Sequence, residues 1–515
     1  MKKNILLTTA FILICISSFS QQWDWVKTPG QINYTNYSGW TGQKIVSDAA
    51  GNSFFLGVLE DTLSLGNFHM AVSPDSTTFL AKLNQNGNCL WCKKIKGLNI
   101  SDLKIDSASR ILVAGCYGQN CNENYIALFD SSGNELWNKS ITGTSYRSVN
   151  WMDFDNEGNI YIKGTFREVL QIGNFSLSDS VNRTYIAKCT SNGNFLWLKK
   201  FPFEYKGGHN NTIWENTIFI MHEDSLTKLD SSGNFLSSSR FIYRQGFSPE
   251  AEFLLEHDTA GNLYIAQNFQ STVILFVNHQ FTDLPGAPPP ANYAGDIFVL
   301  KISQSQTFLW AKHLYSGGYD YISDMQVSSD GNVNLLGHTN AFFLYLDPSY
   351  LNMNYNSKFV IVFKGDGSLN ETAVFSTCYA TDFSCSPKDI FVTGVACGGS
   401  FPLVFGDITI QNYSGLFISK LHKKKILTFY GFQPQTSGNV NIFPNPGSGQ
   451  FIIDFAPKMQ NGKICLYDVF GNFILSQNIS NQQSILIDLS KQAKGIYFVE
   501  VILGDERSTK KIILE

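Results

Sequence analysis

The segment Met152–Gly164, Met-Asp-Phe-Asp-Asn-Glu-Gly-Asn-Ile-Tyr-Ile-Lys-Gly, decides the fold of this chain. A short apolar run enters an Asp-x-x-Gly-Asn turn, and an alternating run follows and ends at Gly164. Asp opens such a turn by accepting hydrogen bonds from the backbone that follows it, and Gly-Asn tolerates the positive φ angles of a tight hairpin. Alternation with a period of two is typical of β-strands. The segment is therefore predicted to be a β-hairpin.

This hairpin belongs to a longer unit that recurs along the chain. After a variable loop, the unit adds a strand (Tyr185–Lys188), a Gly-Asn turn, and the sequence Leu196-Trp197-Leu198-Lys199. Copies of the first turn lie near Asp48, Asp106, Asp155, Glu215, Asp258, Asp330 and Asp389. A spacing of about 45 to 70 residues suits a four-stranded blade with loops. We therefore predict an all-β, seven-bladed β-propeller over residues 21–430.

The two ends of this region complement each other. The seventh copy has no Leu-Trp-x-Lys strand, because His422–Lys425 follows it directly, whereas Trp23–Lys27 matches that strand near the start of the chain. We expect Trp23–Lys27 to complete the last blade and so remove an exposed sheet edge. The region resembles bacterial propeller-repeat proteins with Asp-x-x-Gly-Asn-x-Tyr turns. That resemblance implies a fold and says little about activity.

The last residues carry a different set of motifs, in which short alternating strands between Gly, Asn and Pro signals indicate a small β-sandwich. The motif residues, in order, are Pro444, Asn445, Pro446, Tyr467, Asp468, Gly471, Gly495, Tyr497, Lys510 and Lys511. Together they resemble the type A C-terminal sorting domain of cargo for the type IX secretion system of one phylum of Gram-negative bacteria. The alternative is an ordinary accessory sandwich domain.

The resemblance implies an immunoglobulin-like β-sandwich over residues 440–515, preceded by a linker at 431–439. It also implies recognition by the type IX secretion machinery and a cut near Gln433–Gly438. The passenger would then be released or attached to surface lipopolysaccharide.

The N-terminus is also typical of an exported protein. Lys2 and Lys3 precede an apolar run at 5–16, and Ser18 and Ser20 are the small residues that a signal peptidase needs. A signal peptide is therefore predicted at 1–20, with cleavage between Ser20 and Gln21. A lipoprotein site at Cys15 is disfavoured, because the bulky Ile14 comes before it. No transmembrane segment is predicted, so the chain is expected at the cell surface or outside the cell, after passing through the periplasm.

Composition narrows the class of partner. The chain of 515 residues is 14% aromatic and only 16% charged, with 42 Gly and 15 Pro, as suits many short strands and turns. Its formal net charge of −4 gives no support to a nucleic-acid partner, which would need a basic stripe.

The cysteines are predicted to be structural. An oxidising envelope permits disulfides, and the expected pairs are Cys116 with Cys121 and Cys385 with Cys397. The Cys89-Leu90-Trp91-Cys92 sequence imitates a redox or zinc motif. Residues three apart in a strand point to opposite faces, however, and no second pair or nearby His completes a metal site.

No catalytic set is visible in the sequence. The eight His residues are scattered, and neither a Gly-x-Ser-x-Gly elbow nor a phosphate-binding loop occurs. We therefore predict no catalytic residue, cofactor or metal, although acids from different blades could still converge in space.

Loops that join one blade to the next form the better candidate. The predicted binding face consists of Tyr37, Trp40, Tyr146, Arg147, His209, Tyr319, Asp320 and Tyr321. Aromatic rings among polar groups suit a glycan or a protein ligand. The favoured hypothesis is a non-catalytic binding or adhesion module. The alternatives are a secreted polysaccharide-acting enzyme with acids at the channel mouth, and a structural component of the surface layer.

Overall fold

The computed structural model of this chain forms two compact units, Met1–Lys425 and Ile426–Glu515. It describes residues 23–31, 43–58, 62–71, 78–95, 99–117, 123–202, 210–222, 224–240, 242–245, 253–269, 273–276, 279–281, 296–316, 318–341, 343–346, 350–353, 357–377, 379–397, 402–423, 439–468, 473–503 and 506–515. Within these ranges every regular element is a β-strand. None of them contains a helix long and apolar enough to cross a membrane.

The first unit is built from four-stranded antiparallel sheets, which we call blades 1–7. Each blade has an inner strand, a second strand, a third strand and an outer strand, in that order. Blade 1 consists of Lys44–Ser47, Ser53–Val58, Thr78–Leu83 and Cys89–Lys94, and blade 2 of Asn99–Ile105, Ile111–Tyr117, Glu123–Phe129 and Glu135–Gly143. Blade 3 consists of Trp151–Phe154, Ile160–Ile172, Phe175–Cys189 and Phe195–Phe201, and blade 4 of Asn211–Trp214, Thr217–His222, Ser225–Asp230 and Phe235–Arg240. Blade 5 consists of Phe253–His257, Leu263–Phe269, Asp296–Ile302 and Phe308–Leu314. Blade 6 consists of Asp320–Val327, Val333–Thr339, Ser357–Phe363 and Leu369–Ser376, and blade 7 of Tyr379–Cys385, Asp389–Cys397, Ser414–His422 and Trp23–Gln31.

The blades close into a ring. The inner strand of each blade contacts the inner strand of the next, and the inner strand of blade 7 contacts that of blade 1. Alternating apolar residues on the two faces of each sheet fill the space between neighbouring blades, as in the cluster of Leu335, Phe359 and Ile361 with Tyr264 and Val299. The predicted all-β propeller class is confirmed.

The first described strand belongs to the last blade, as predicted from its sequence. Trp23–Gln31 pairs antiparallel with Ser414–His422, with Val26 opposite Ser419. The Trp23 ring packs edge-on against Phe375 and Phe405, at centroid distances of 5.3 and 4.8 Å. The ring is thus closed by strands from distant parts of the sequence.

The repeated turn has the predicted chemistry. In blade 3, Asp155 Oδ1 accepts hydrogen bonds from the backbone N–H groups of Glu157 and Asn159, at 3.0 and 2.8 Å. Gly158 has a φ of 76°, a conformation that side chains disfavour. The Lys188 ammonium lies 3.1 Å from Asp155 Oδ2, so this turn is also tied to the third strand of its blade.

The repeated tryptophan fastens five of the seven blades to the next. Nε1 of an outer-strand Trp donates to a backbone carbonyl in the third-to-outer turn of the following blade, at 2.9–3.2 Å, in the pairs Trp25–Gln85, Trp91–Ser131, Trp137–Ser191, Trp197–Ser231 and Trp310–Gly365. Blades 4 and 6 have no Trp in their outer strands. In blade 4 the ring of Trp214, at the end of the inner strand, lies against Gly261 of blade 5.

Four further strand groups occur among the described residues of the first unit, and two of them pair with blades. A hairpin of Leu63–Leu65 and Phe68–Met70 pairs with Trp23–Gln31, and Leu403–Phe405 with Ile408–Ile410 pairs with the outer strand of blade 6. The remaining two groups are Ile242–Gln245 with Val273–Phe276 and His279–Phe281, and Phe343–Tyr345 with Tyr350–Asn352. The last pair lies between the second and third strands of blade 6.

The second unit is the predicted small β-sandwich. Its strands are Asn439–Phe443, Gln450–Asp468, Phe473–Asp488, Gly495–Leu503 and Glu506–Leu514. The two longest strands share a register break between Asp454 and Met459. Residues on both sides of that break, among them Phe451 and Ile464, meet in one buried core, so the sheet folds over itself.

The predicted disulfide between Cys385 and Cys397 is wrong. Cys385 is free, and its Sγ lies 3.3 Å from Asn334 Nδ2. In the hairpin of blade 7, Cys385 pairs with Ile390 beside the turn, whereas Cys397 lies at the far end opposite Ser414. Cys116 is disulfide-bonded. Cys121 lies outside the described residues, so its pairing with Cys116 stays a prediction.

The expectation that Cys89 and Cys92 point to opposite faces is also wrong. A bulge at the start of the outer strand shifts the pairing between Lys82 and Leu83, and both cysteines pack against the same apolar cluster. Both are free thiols, and burial raises the pKa of Cys89 to about 11 and that of Cys92 to about 12. Such thiols are poor nucleophiles, as the structural interpretation requires.

Candidate ligand-binding site

Two kinds of connection emerge at opposite ends of every blade. The Asp-x-x-Gly-Asn and Gly-Asn hairpins lie at one end, and the blade-to-blade loops lie at the other, because consecutive strands are antiparallel. We call the second end the loop face. Of the predicted binding residues, Tyr37, Trp40 and His209 lie outside the described residues, and the other five belong to the loop face.

Tyr146 and Arg147 differ in what they offer a ligand. The Tyr146 ring is 60% exposed. The Arg147 guanidinium donates to the backbone carbonyls of Ile141, Gly143 and Ser145, at 3.2, 3.4 and 2.9 Å. Arg147 therefore holds its own loop together.

Tyr319 and Tyr321 form the core of an aromatic patch on blade 6. Their rings are nearly parallel, with centroids 6.5 Å apart and an interplanar angle of 10°. The His338 ring lies 6.3 Å from Tyr319 and 5.3 Å from Tyr321. Tyr319 is 41% exposed, so this group presents ring surface to solvent. Burial and the neighbouring Lys358 lower the pKa of His338 to about 4, so its imidazole is neutral at neutral pH.

The loop that carries Tyr319 is fixed by short contacts. The Tyr319 N–H donates to Asn340 Oδ1 at 2.6 Å, and Asn340 N–H donates back to the Tyr319 carbonyl at 3.2 Å. A side chain at Gly318 would place its Cβ 2.2 Å from Asn340 Oδ1, so this approach requires glycine. The Tyr319 ring is consequently positioned before any ligand arrives.

Asp320 supports this loop from beneath. Its side chain is buried, and Ser316 Oγ donates to Asp320 Oδ1 at 2.7 Å. Burial raises the pKa of Asp320 to about 7. Asp320 was predicted as part of the binding face, but its carboxyl group is buried and accepts a hydrogen bond from Ser316 of the same loop.

A second aromatic row, not predicted from the sequence, lies on the same loop. Tyr315 stacks on Tyr345 with centroids 5.1 Å apart and an angle of 13°, and His313 lies 4.8 Å from Tyr315. His313 Nε2 is 2.8 Å from Asp296 Oδ2, which orients the imidazole. Tyr345 is 39% exposed. Tyr345 stands in the short hairpin between the second and third strands, a part of the sequence without repeat signals. We define the aromatic patch as Tyr315, Tyr319, Tyr321, His338 and Tyr345.

Charged side chains occupy the inner strands at the other end of the channel. Lys104, Asp153 and Glu256 each stand two residues before the first turn of their blades. Burial raises the pKa of Glu256 to about 8, against the effect of Lys104. Burial, with the nearby Asp382, also raises the pKa of Asp324.

Several of these carboxylates join neighbouring blades. Asp102 Oδ2 accepts a hydrogen bond from the Met152 N–H at 2.8 Å. Asp382 accepts a hydrogen bond from the Ile45 N–H at 2.8 Å, and its carboxylate forms an ion pair with the Lys44 ammonium at 3.1 Å. These groups therefore stabilise the ring. Asp102 and Asp382 are the middle residues of their inner strands, Asn99–Ile105 and Tyr379–Cys385.

One group of metal-type ligands occurs among the described residues. Single atoms of Asp24, Asp389 and His422 lie within 4.8 Å of one another. The Lys420 ammonium is 3.0 Å from Asp24 and 3.3 Å from Asp389, so a cation of the protein already neutralises this group. It joins the first strand to blade 7.

In the second unit, the Pro-Asn-Pro motif holds the last strand. Asn445 Nδ2 donates to the Lys511 carbonyl at 2.6 Å, and the Ile513 N–H donates to Asn445 Oδ1 at 2.8 Å. Pro444 and Pro446 are exposed on either side. One side-chain amide thus replaces a strand partner for two backbone groups.

The other motif residues divide between core and surface. Tyr497 is buried and its hydroxyl donates to the Ala493 carbonyl, whereas Gly495, Lys510 and Lys511 are exposed. The backbones of Tyr467 and Asp468 pair with Phe498 and Tyr497. Gly471 lies outside the described residues, as do Ser20 and Gln21 of the predicted signal cleavage site.

Residues 441–515 match the family described as the secretion system C-terminal sorting domain. The chain is cargo of the type IX secretion system. Its sorting domain directs export to the cell surface or the extracellular space, which confirms the predicted localisation and implies contact with the secretion machinery.

Comparisons with other proteins concern the fold alone. A search of curated sequences finds no match to this cargo. Among solved structures, it is similar to a fungal alcohol oxidase of the AA5 family in complex with copper (12% identity, TM-score 0.42, 96% of this chain and 99% of that chain). It is also similar to the Dos1 propeller (11%, TM-score 0.33, 77% and 95%) and to a DUF4221 family member from Bacteroides vulgatus (10%, TM-score 0.31, 61% and 93%).

Proposed function

We propose that this cargo is a non-catalytic binding module that holds a glycan on the aromatic patch of its propeller. The observation that carries the proposal is the pair of nearly parallel Tyr319 and Tyr321 rings, one of them widely exposed, on a loop already fixed by hydrogen bonds. Flat ring faces suit the C–H faces of sugars, and a fixed loop reduces the entropy lost on binding. Export places such a site where extracellular glycans occur.

The test is a glycan array probed with the purified full chain, followed by titration of each ligand found. Tyr319→Ala and Tyr345→Ala are expected to weaken binding about tenfold each, which is ~1.4 kcal/mol. Phe235→Ala is the matched control, because Phe235 is an exposed aromatic residue on the outer strand of blade 4, away from the loop face. If no glycan on the array binds and matrix proteins bind instead, the ligand is a protein and the glycan proposal is wrong.

The channel acids favour a second candidate, a polysaccharide-acting enzyme. Glu256 has a raised pKa, as a general acid requires, and other acids share the channel. The bonds of Asp102 and Asp382 to the next blade weigh against it. Release of reducing ends from polysaccharides that is abolished by Glu256→Gln and retained by Tyr319→Ala would favour the enzyme.

A further inference from the structure

A cross-strand row of side chains lies beneath the aromatic patch. In blade 6, Tyr321 pairs with His338, and His338 pairs with Lys358 on the third strand. Directly paired residues project to the same face of a sheet. The Lys358 side chain therefore leaves the sheet on the side where His338 contacts Tyr319 and Tyr321.

Lys358 is a buried cation with no anionic partner in the described part of the chain. Lys358 is only 9% exposed, and no hydrogen bond or ion pair joins its ammonium to the described residues of the chain. Burial lowers the pKa of Lys358 to about 8. At neutral pH the ammonium is still mostly protonated.

Of the other five buried lysines among the described residues of the propeller, three pair with acids, Lys163 bonds to two Asn side chains, and Lys423 has no hydrogen-bond partner in the described part of the chain. Lys188 and Lys301 each lie 3.1 Å from an Asp of their own blade, and Lys420 lies between two acids. A buried charge is normally paired, because removing it from water is costly. Among the described residues, Lys358 thus has no acidic partner of the kind that Lys188, Lys301 and Lys420 have, and it pairs with His338 beside the exposed rings.

We propose that blade 6 binds an anionic sugar, with the sugar ring against Tyr319 and Tyr321 and its carboxylate or sulfate against the Lys358 ammonium. This inference rests on the proposed function and names the ligand class of the same patch. A ligand anion would supply the missing countercharge in a partly desolvated place, where such a pair is stronger than in water. Neutral His338 adds a polar group without repelling the anion.

The experiment compares matched ligands on the full-length protein by calorimetric titration. The pairs are a galacturonic acid oligomer with its methyl ester, and dextran sulfate with dextran. Wild-type protein is expected to bind at least one acidic member about tenfold more tightly than its neutral partner. Lys358→Met is expected to remove that preference while retaining the fold, since Met replaces an unpaired buried charge by an apolar chain of similar length.

The controls separate this site from general charge effects. Lys312→Met, on the outer strand of blade 5, should leave the preference unchanged, and the preference should weaken with added salt. Thermal melting checks the fold, and Lys358→Gln is used if Lys358→Met does not fold. Preference for the acid that survives both Lys358 variants would overturn the inference.

Two further outcomes distinguish the inference from the proposed function. Binding of neutral glycans by Tyr319, with no preference for acidic ones, would overturn the anionic ligand and leave the glycan site standing. A silent glycan array would remove both.

Discussion

At the scale of single residues, the channel acids show how burial decides protonation. Glu256 shares the channel with Lys104, Asp153 and Asp324, and burial outweighs the attraction of the lysine, so its pKa rises from the ordinary 4.5 to about 8. The protonated form of Glu256 is therefore favoured in the folded ring. Between these two pH values the folded protein binds more protons than the unfolded chain, so this group's contribution to stability falls as the pH rises.

Glu256→Gln is expected to change the pH dependence of unfolding. Since Gln cannot ionise, the free energy of unfolding of the variant should increase relative to wild type from about pH 4.5 to about pH 8. Denaturant titrations at pH 5, 6, 7 and 8 measure the difference. Asp130→Asn is the control, because turn hydrogen bonds lower the pKa of Asp130 and it stays ionised throughout this range. A constant difference between Glu256→Gln and wild type would contradict the raised pKa.

Residue chemistry was predictable where it is local. The bonds of Asp155 to its turn follow from the Asp-x-x-Gly-Asn pattern alone. The stacking of Tyr315 on Tyr345 was not predictable, since it depends on a hairpin inserted between two strands. Lys358 has no sequence signal either, because its burial beside His338, without an acidic partner among the described residues, depends on the packing of blade 6. Cys89 and Cys92 were placed on opposite faces because a bulge that changes the strand parity is invisible in the sequence.

At the scale of elements, closure of the ring depends on the strand Trp23–Gln31. Its apolar contacts are extensive, since the Trp23 ring packs against Phe375 and Phe405 from blade 6 and its extension. Its ionic contact is smaller, because Asp24 is partly exposed in its pair with Lys420. The sequence predicted this strand from one missing motif in the seventh copy. It did not indicate that the strand continues to Gln31 and pairs with the hairpin at Leu63.

Two variants of this strand separate its apolar and ionic contributions. Trp23→Ala should reduce the free energy of unfolding by about 3–5 kcal/mol, because a large buried ring is lost. Asp24→Asn should reduce it by at most about 1 kcal/mol, as for a solvent-exposed ion pair. Thermal unfolding compares them, and hydrogen exchange of Ser414–His422 should rise in Trp23→Ala alone. Equal destabilisation by the two variants would show that charge holds the ring closed.

At the scale of the whole molecule, the proposed binding site lies in one unit and the sorting domain that directs export is the other. The propeller and the sorting domain have separate cores, and neither candidate site uses residues of the second unit. Both architectures could be predicted from sequence, because repeats and ordered motifs persist without detailed packing. Residues 431–438 of the predicted linker at 431–439, and with them the predicted cleavage near Gln433–Gly438, lie outside the described residues, whereas Asn439 begins the first strand of the second unit. The ligand class of the proposed site could not be predicted from sequence, because that site is formed by side chains from separate loops and strands.

Export is expected to depend on the sorting domain and not on the aromatic patch. Removing residues 438–515 should retain the protein in the periplasm, and cell fractionation with surface labelling measures this. Asn445→Ala should reduce surface delivery as well, because the last strand loses two hydrogen bonds, to the Lys511 carbonyl and from the Ile513 N–H. Gln477→Ala, at an exposed position of the same domain, and Tyr319→Ala in the propeller should be delivered normally. Normal surface delivery without residues 438–515 would show that the export signal lies in the propeller itself.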